Sequence, residues 1–158
     1  MSSIIYRQIQ SSETAAVSLL AREVFDQFVA SHYQAEGIAE FYRYASVEAL
    51  SQRHKSGYNT LVAEHSGELV GMLQLREPHH VSMLFVQSSW QRGGIARGLL
   101  VAAGTLAGDI NCEFTVSSSP NAVSAYKRLG FLITGSEQCI HGIRFVPMQR
   151  ISRNDRNA

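Results

Sequence analysis

Two glycines flanked by arginines, Arg92-Gly93-Gly94-Ile95-Ala96-Arg97, closely follow the apolar run Val81 to Val86 and open an amphipathic stretch. Glycine costs about 1 kcal/mol against alanine inside a helix. Two at a helix start therefore point to a backbone that must bend or be approached closely. The first N–H groups of a helix lack intrahelical partners and sit at the positive end of its dipole, so such a turn is suited to an anion. It lacks the Lys-Ser/Thr ending of a P-loop and the glycine spacing of a dinucleotide fingerprint, which disfavours ATP and NAD. Glu77, His79 and His80 precede the apolar run, and histidine is the side chain that exchanges protons near neutral pH. The His79-His80 pair is not a metal site by spacing, because neighbours on a strand face opposite ways and no Cys or carboxylate cluster completes a ligand set. Cys112 and Cys139 have no metal spacing and no activating His partner, and both are expected to be buried core thiols.

The elements that must position these groups follow from periodicity. Ser3 to Ile9 reads as a first strand. The next stretch is a helix capped by Ser11 or Ser12, with Val17, Leu20, Val24 and Phe28 at helical spacing. Gly37 is expected to separate it from one further helix, Ile38 to His54. Tyr58 to Arg76 reads as a hairpin about Ser66-Gly67, and His80 to Val86 as another strand. A helix from Gly93 to Ala107 carries Ile95, Leu99, Ala103 and Leu106 on one face. Asn111 to Ser119 reads as a strand with Cys112, Phe114 and Val116 on one side. Ser119-Pro120 begins a helix that ends before Gly130. Two closing strands, Phe131 to Thr134 and Cys139 to Met148, complete a mixed α/β domain, with Pro147 expected to mark an edge or bulge.

Gln91, Gly94 and Ala96, set between a strand and a helix, together with Ser119-Pro120-Asn121 and Tyr126-Lys127-Arg128-Leu129-Gly130-Phe131, resemble the two signature motifs of the GNAT superfamily of N-acetyltransferases. Gly142 to Met148 is similar to one bacterial branch. The resemblance spans nearly the whole chain. It implies a central mixed, mostly antiparallel twisted sheet of six to seven strands flanked by about four helices, and acetyl-CoA as co-substrate without a metal. It implies that Arg92 to Arg97 hold the pyrophosphate through backbone amides, with Gln91 in the same turn, and that Phe85 and Val86 pair with the pantetheine arm. Ser119 stands where many members have an asparagine, and Asn121 is a candidate substitute. Ser88 replaces a common proline.

Tyr126 resembles the family's residue beside the CoA sulfur. A phenol pKa of about 10 exceeds that of an ordinary thiol at about 8.5, so its useful contribution is a hydrogen bond that strengthens as charge develops on sulfur. An amine with pKa about 10.4 must lose a proton before attack, and Glu77, His79 and His80 are the candidate bases. Phe28, His32 and Tyr33, with Glu23 and Asp26 nearby, lie where the family builds acceptor pockets.

The implied activity is direct acetyl transfer to an amine in a ternary complex, with a small-molecule acceptor ahead of a protein or peptide amine. An acyl-CoA-binding regulatory module without turnover is the alternative. With 158 residues, a single domain over 1–150 and a polar tail over 151–158 are expected. A net charge of +1 without a basic stripe argues against nucleic acid, and no apolar run approaches the ~20 residues of a membrane span. The first residues lack a secretory pattern, so a cytoplasmic protein, monomeric or homodimeric, is expected.

Overall fold

In the computed structural model, which describes residues 3–77, 79–108 and 113–150, β-branched and apolar runs form eight strands of one sheet with five α-helices packed on it. The elements are β1 (Ile5–Gln8), α1 (Thr14–Phe28), α2 (Ala35–Tyr44), α3 (Val47–Lys55), β2 (Asn59–His65), β3 (Glu68–Arg76), β4 (His80–Val86), α4 (Ile95–Leu106), β5 (Thr115–Ser118), α5 (Val123–Arg128), β6 (Phe131–Ile133), β7 (Gln138–Ile140) and β8 (Ile143–Arg150). Strand order is β1-β2-β3-β4-β5-β8-β6, with β7 also on β8. Only β4 and β5 run parallel.

Side chains alternate across the strands, so β3 sends Leu73 to one face and Met72 to the other. Leu73 joins Leu99, Phe114, Val116 and Phe131 beneath α4 and α5. Met72 joins Val17, Phe25, Phe41, Leu50 and Met83 beneath α1, α2 and α3. The sheet therefore separates two apolar layers.

The mixed, mostly antiparallel sheet agrees with expectation, though strands and helices are more numerous. Gly37 does not break a helix. It lies buried inside α2, where a β-carbon would come within 2.2 Å of the Gly142 carbonyl oxygen, so it permits two backbones to touch. The expected single helix from Ile38 is two, parted at Ala45-Ser46, with the Ser46 hydroxyl accepting from the Ala49 N–H of α3. The serines before α1 form a short 3-10 turn, and the Glu13 carboxylate, which accepts from the Gln10 N–H, is gripped by Arg7.

Cys139 to Met148 is a hairpin rather than one strand, turned by His141 and Gly142, both in the left-handed region. Two-residue hairpin turns need this conformation; Ser66-Gly67 supplies it for β2 and β3, as expected. Pro147 does not mark an edge, since β8 pairs with β5 on one side. Its missing donor faces the gap between β6 and β7, where Thr134 donates to the Pro147 carbonyl. Cys139 is exposed on β7, not buried, because β7 projects beyond both apolar layers. Leu106, at the end of α4, is exposed as well. Cys112 and the 151–158 tail lie outside the described residues. No helix is long and apolar enough to cross a membrane, and among the described residues no three or more His, Cys, Asp or Glu side chains are grouped to hold a metal.

Alanine at a helix interior normally adds about 1 kcal/mol over glycine. Gly37→Ala should do the opposite and cost about 1–3 kcal/mol, because backbone rather than a flexible side-chain tip stands in the way. Urea unfolding measures the sign; a stabilised variant would contradict the close approach of α2 to the β7–β8 turn.

Candidate active site

β4 and β5 pair only at His80–Thr115 and Val81–Val116 and then part. A bulge at Ser82 accompanies the parting. Val81 faces Leu75 and Met83 faces Gln74, so β4 carries one extra residue. Val81 accordingly belongs to the α4 layer and Met83 to the α1 layer. Past the bulge, the Gln87 N–H donates to Val70. Alternation then directs Phe85 and Met83 backbone groups to β3, and those of Leu84 and Val86 into the gap. The gap is part of a cleft of about 870 Å³ lined from both faces of the sheet.

On the α4 side, the turn after β4 meets the cleft. Arg92 has φ +65° and Gly94 φ +88°, and a β-carbon on Gly94 would project into open space. The first intrahelical bond runs from the Gly98 N–H to the Gly94 carbonyl, which leaves the amides of Ile95, Ala96 and Arg97 as the free first turn of α4. Arg92, Arg97 and Arg128 line this part of the cleft. The Gln91 side-chain amide donates to the Val86 carbonyl at 3.0 Å and joins turn to strand. Gly93 is exposed in the same turn.

Tyr126, on α5, lines the cleft with its ring edge-on to Phe131 at 5.3 Å. Burial pushes its phenol above the ordinary range, so it stays protonated, and no hydrogen bond to its hydroxyl is found among the described residues. Ser119 and Asn121 also line the cleft, although the Asn121 amide is committed to the Phe28 carbonyl at 3.0 Å.

Of the three candidate bases only His80 lines the cleft. Its Nδ1 lies 2.8 Å from Thr115 Oγ1, and burial, then the nearby Arg76 charge, lowers its pKa from the usual 6.5. Neutral imidazole is therefore favoured at pH 7. His79 instead packs edge-on against Phe114, and Glu77 is exposed in the β3–β4 turn.

On the α1 side, Phe28 and Tyr33 line the cleft, with Phe85 edge-on to Phe41 at 5.6 Å. His32, Glu23 and Asp26 do not line it. The His32 carbonyl accepts from Arg144, and Asp26 accepts from the Tyr42 hydroxyl. Glu40, Phe41 and Tyr44 of α2 and His141 and Arg144 of the β7–β8 hairpin complete this wall, and sequence reasoning missed all five. Only the spacing of residues 37, 40, 41 and 44 on one helical face could have indicated it. The Tyr33 hydroxyl donates to the Arg144 carbonyl at 2.7 Å, and with the Gly37–Gly142 contact this closes α2 onto the hairpin.

A polar network supports the bulge from below. Gln74 is fully buried; its carbonyl accepts from Arg53 Nε at 2.8 Å and from the Ser82 hydroxyl at 3.1 Å, and its amide donates to Thr60 at 3.2 Å. Arg53 also donates to the Tyr44 carbonyl and stacks 3.7 Å from that ring. Burial lowers the Arg53 pKa, a sign of a charge held by dipoles and a ring face rather than by a carboxylate.

Residues 29–152 match the family described as an acetyltransferase (GNAT) domain. The fold is similar to that of a GCN5-related N-acetyltransferase from Rhodopseudomonas palustris, at 24% identity and a TM-score of 0.78 over 96% of this chain and 97% of that one. It is also similar to PaiA N-acetyltransferase from Thermoplasma acidophilum, solved with coenzyme A, at 22% identity and 0.77 over 94% and 99%. A ribosomal-protein-alanine N-acetyltransferase from Brucella melitensis gives 20% and 0.62 over 93% and 99%. These identities speak for the fold alone. No curated protein sequence matches the chain.

Gln74→Leu should cost about 1–3 kcal/mol by leaving the part-buried Arg53 Nε–H without its acceptor. Adding Arg53→Met should recover part of that loss, because both members of the pair are then gone. Denaturant unfolding of Gln74→Leu, Arg53→Met and the double variant measures the coupling; strictly additive losses would contradict it.

Proposed function

The chain belongs to the GNAT acetyltransferase family, and from that premise we propose that it transfers acetyl directly from acetyl-CoA to a small-molecule amine. The observation that carries this reading is the gap between β4 and β5, which joins a helix-start anion cradle on one face of the sheet to an aromatic recess on the other. Acetyl-CoA supplies the acetyl group as a thioester. The α4 amides and Arg92, Arg97 and Arg128 suit its phosphates, and the open space over Gly94 leaves room for close approach. The gap-facing N–H groups of Leu84 and Val86 are the donors available to hold the arm and polarise the carbonyl, a narrower assignment than Phe85 and Val86.

Tyr126 donates a hydrogen bond to the departing sulfur. Its raised pKa makes full proton transfer still less favourable than for a free phenol, so stabilisation of developing charge is its role. His80 takes the proton released as the amine nitrogen bonds to the acetyl carbon. The closed contact of α2 with the β7–β8 hairpin favours a small molecule over a peptide, since an extended chain needs an open groove there.

Release of free CoA thiol with a panel of amines tests the reading. The wild type should turn over, and Tyr126→Phe should lower kcat about 10- to 100-fold, the worth of a hydrogen bond to a charged group. Tight acetyl-CoA binding with no thiol release for any amine would favour the non-catalytic module.

The rate should fall as pH drops through a pKa below 6.5, where His80 gains its proton. His80→Gln should show a lower plateau without that limb. An unchanged profile would remove His80 as the base.

A further inference from the structure

The acceptor wall has an uneven chemistry. Glu40 is the only carboxylate among the described residues that line the cleft, whereas Arg76, His80, His141 and Arg144, the last ion-paired to Glu137 outside the lining, belong to the same surroundings. One Glu40 oxygen accepts from Arg43, whose side chain is 71% exposed, and the other oxygen has no protein partner among the described residues. Glu40 shares its helical face with Phe41 and Tyr44, so the single negative charge stands directly beside aromatic surface. Phe41 is fixed between Phe25, stacked at 3.9 Å, and Phe85, edge-on at 5.6 Å, which makes the wall rigid as well as apolar.

Resting on the acetyl-transfer reading, we propose that the acceptor is a primary monoamine on a compact apolar body, with Glu40 meeting the ammonium and the Phe28, Phe41 and Phe85 wall taking the body. A single carboxylate suits a single ammonium. A polyamine would bring a second cation to a wall with no second lining carboxylate among the described residues, since the nearby Glu137 is already taken by Arg144 at 3.0 Å. A sugar-like or peptide amine would bury hydroxyls or amides against phenyl rings without partners, at a cost per group that a phenyl or alkyl body avoids. Where α2 meets the β7–β8 hairpin, Tyr33 and Arg144 bound the wall. The ammonium gives one proton to water, so the free amine loses its attraction to Glu40 and becomes the nucleophile; its nitrogen bonds to the acetyl carbon as His80 takes the second proton, the carbon–sulfur bond breaks, and that bond's electron pair leaves on the sulfur, a thiolate that is reprotonated from solvent.

The experiment compares kcat/KM for phenethylamine, hexylamine, phenylalanine, spermidine and an alanine-terminated peptide under saturating acetyl-CoA. Phenethylamine and hexylamine should exceed the other three by at least about tenfold, the worth of 1.4 kcal/mol. Glu40→Gln should raise the phenethylamine KM about tenfold while kcat and the acetyl-CoA KM stay within about twofold. Phenyltrimethylammonium, which cannot be acetylated, should compete with phenethylamine and not with acetyl-CoA. Faster turnover of spermidine, of the peptide, or of phenylalanine over phenethylamine would overturn the proposal while leaving acetyl transfer intact. Thiol release with none of the amines would instead overturn the reading on which it rests. An unchanged KM in Glu40→Gln would overturn the role of Glu40.

Discussion

β4 must hold β3 along its length and yet release β5 after Val81, and every other feature of the cleft depends on that asymmetry. A parallel pair that continued would consume the backbone groups of Leu84 and Val86 in a ladder. The extra residue at Ser82 reverses which side chains face which layer, so one strand contributes Val81 and Val86 to the α4 core and Met83 and Phe85 to the α1 side. Bulges locally disrupt pairing and increase twist, which is the physical reason two neighbouring strands can diverge without unfolding. The buried Gln74, with Arg53 behind it, satisfies the polar groups that such an irregularity leaves in the core.

The two faces of the sheet then have different characters. Around the start of α4, free amides and three arginines make a positive field suited to phosphate. Beyond the gap the surface is mainly aromatic. Tyr126 and His80 are both altered by burial, in opposite senses that serve complementary needs: the phenol is kept protonated and the imidazole is kept neutral. One can donate a hydrogen bond while the other can accept a proton, and neither carries a net charge.

The α4 side of the cleft was largely readable in the sequence because its signals are local. Glycines at a strand-to-helix turn, and Ser119-Pro120 ahead of Tyr126, report backbone geometry within a few residues. The α2 side was not readable in the same way. Glu40, Phe41 and Tyr44 become a wall only because α2 meets a hairpin about a hundred residues later, and neither partner carries a local mark of the other. Gly37 illustrates the confusion: by propensity it breaks a helix, and in the fold it allows a helix to touch a turn. Ser82 gave no warning of a bulge, since neither Gly nor Pro accompanies it. Cys139 follows average burial tendencies only until its strand projects beyond the core.

The bond from Gln91 to the Val86 carbonyl has a thermodynamic meaning beyond geometry. It fastens the turn to the end of a strand whose other edge is already held by β3, so the left-handed residues Arg92 and Gly94 have their conformation set before any ligand arrives. Ordering a loop on binding subtracts from affinity. Here that entropy is lost during folding, and association with an anion need only exchange water for backbone amides already in place.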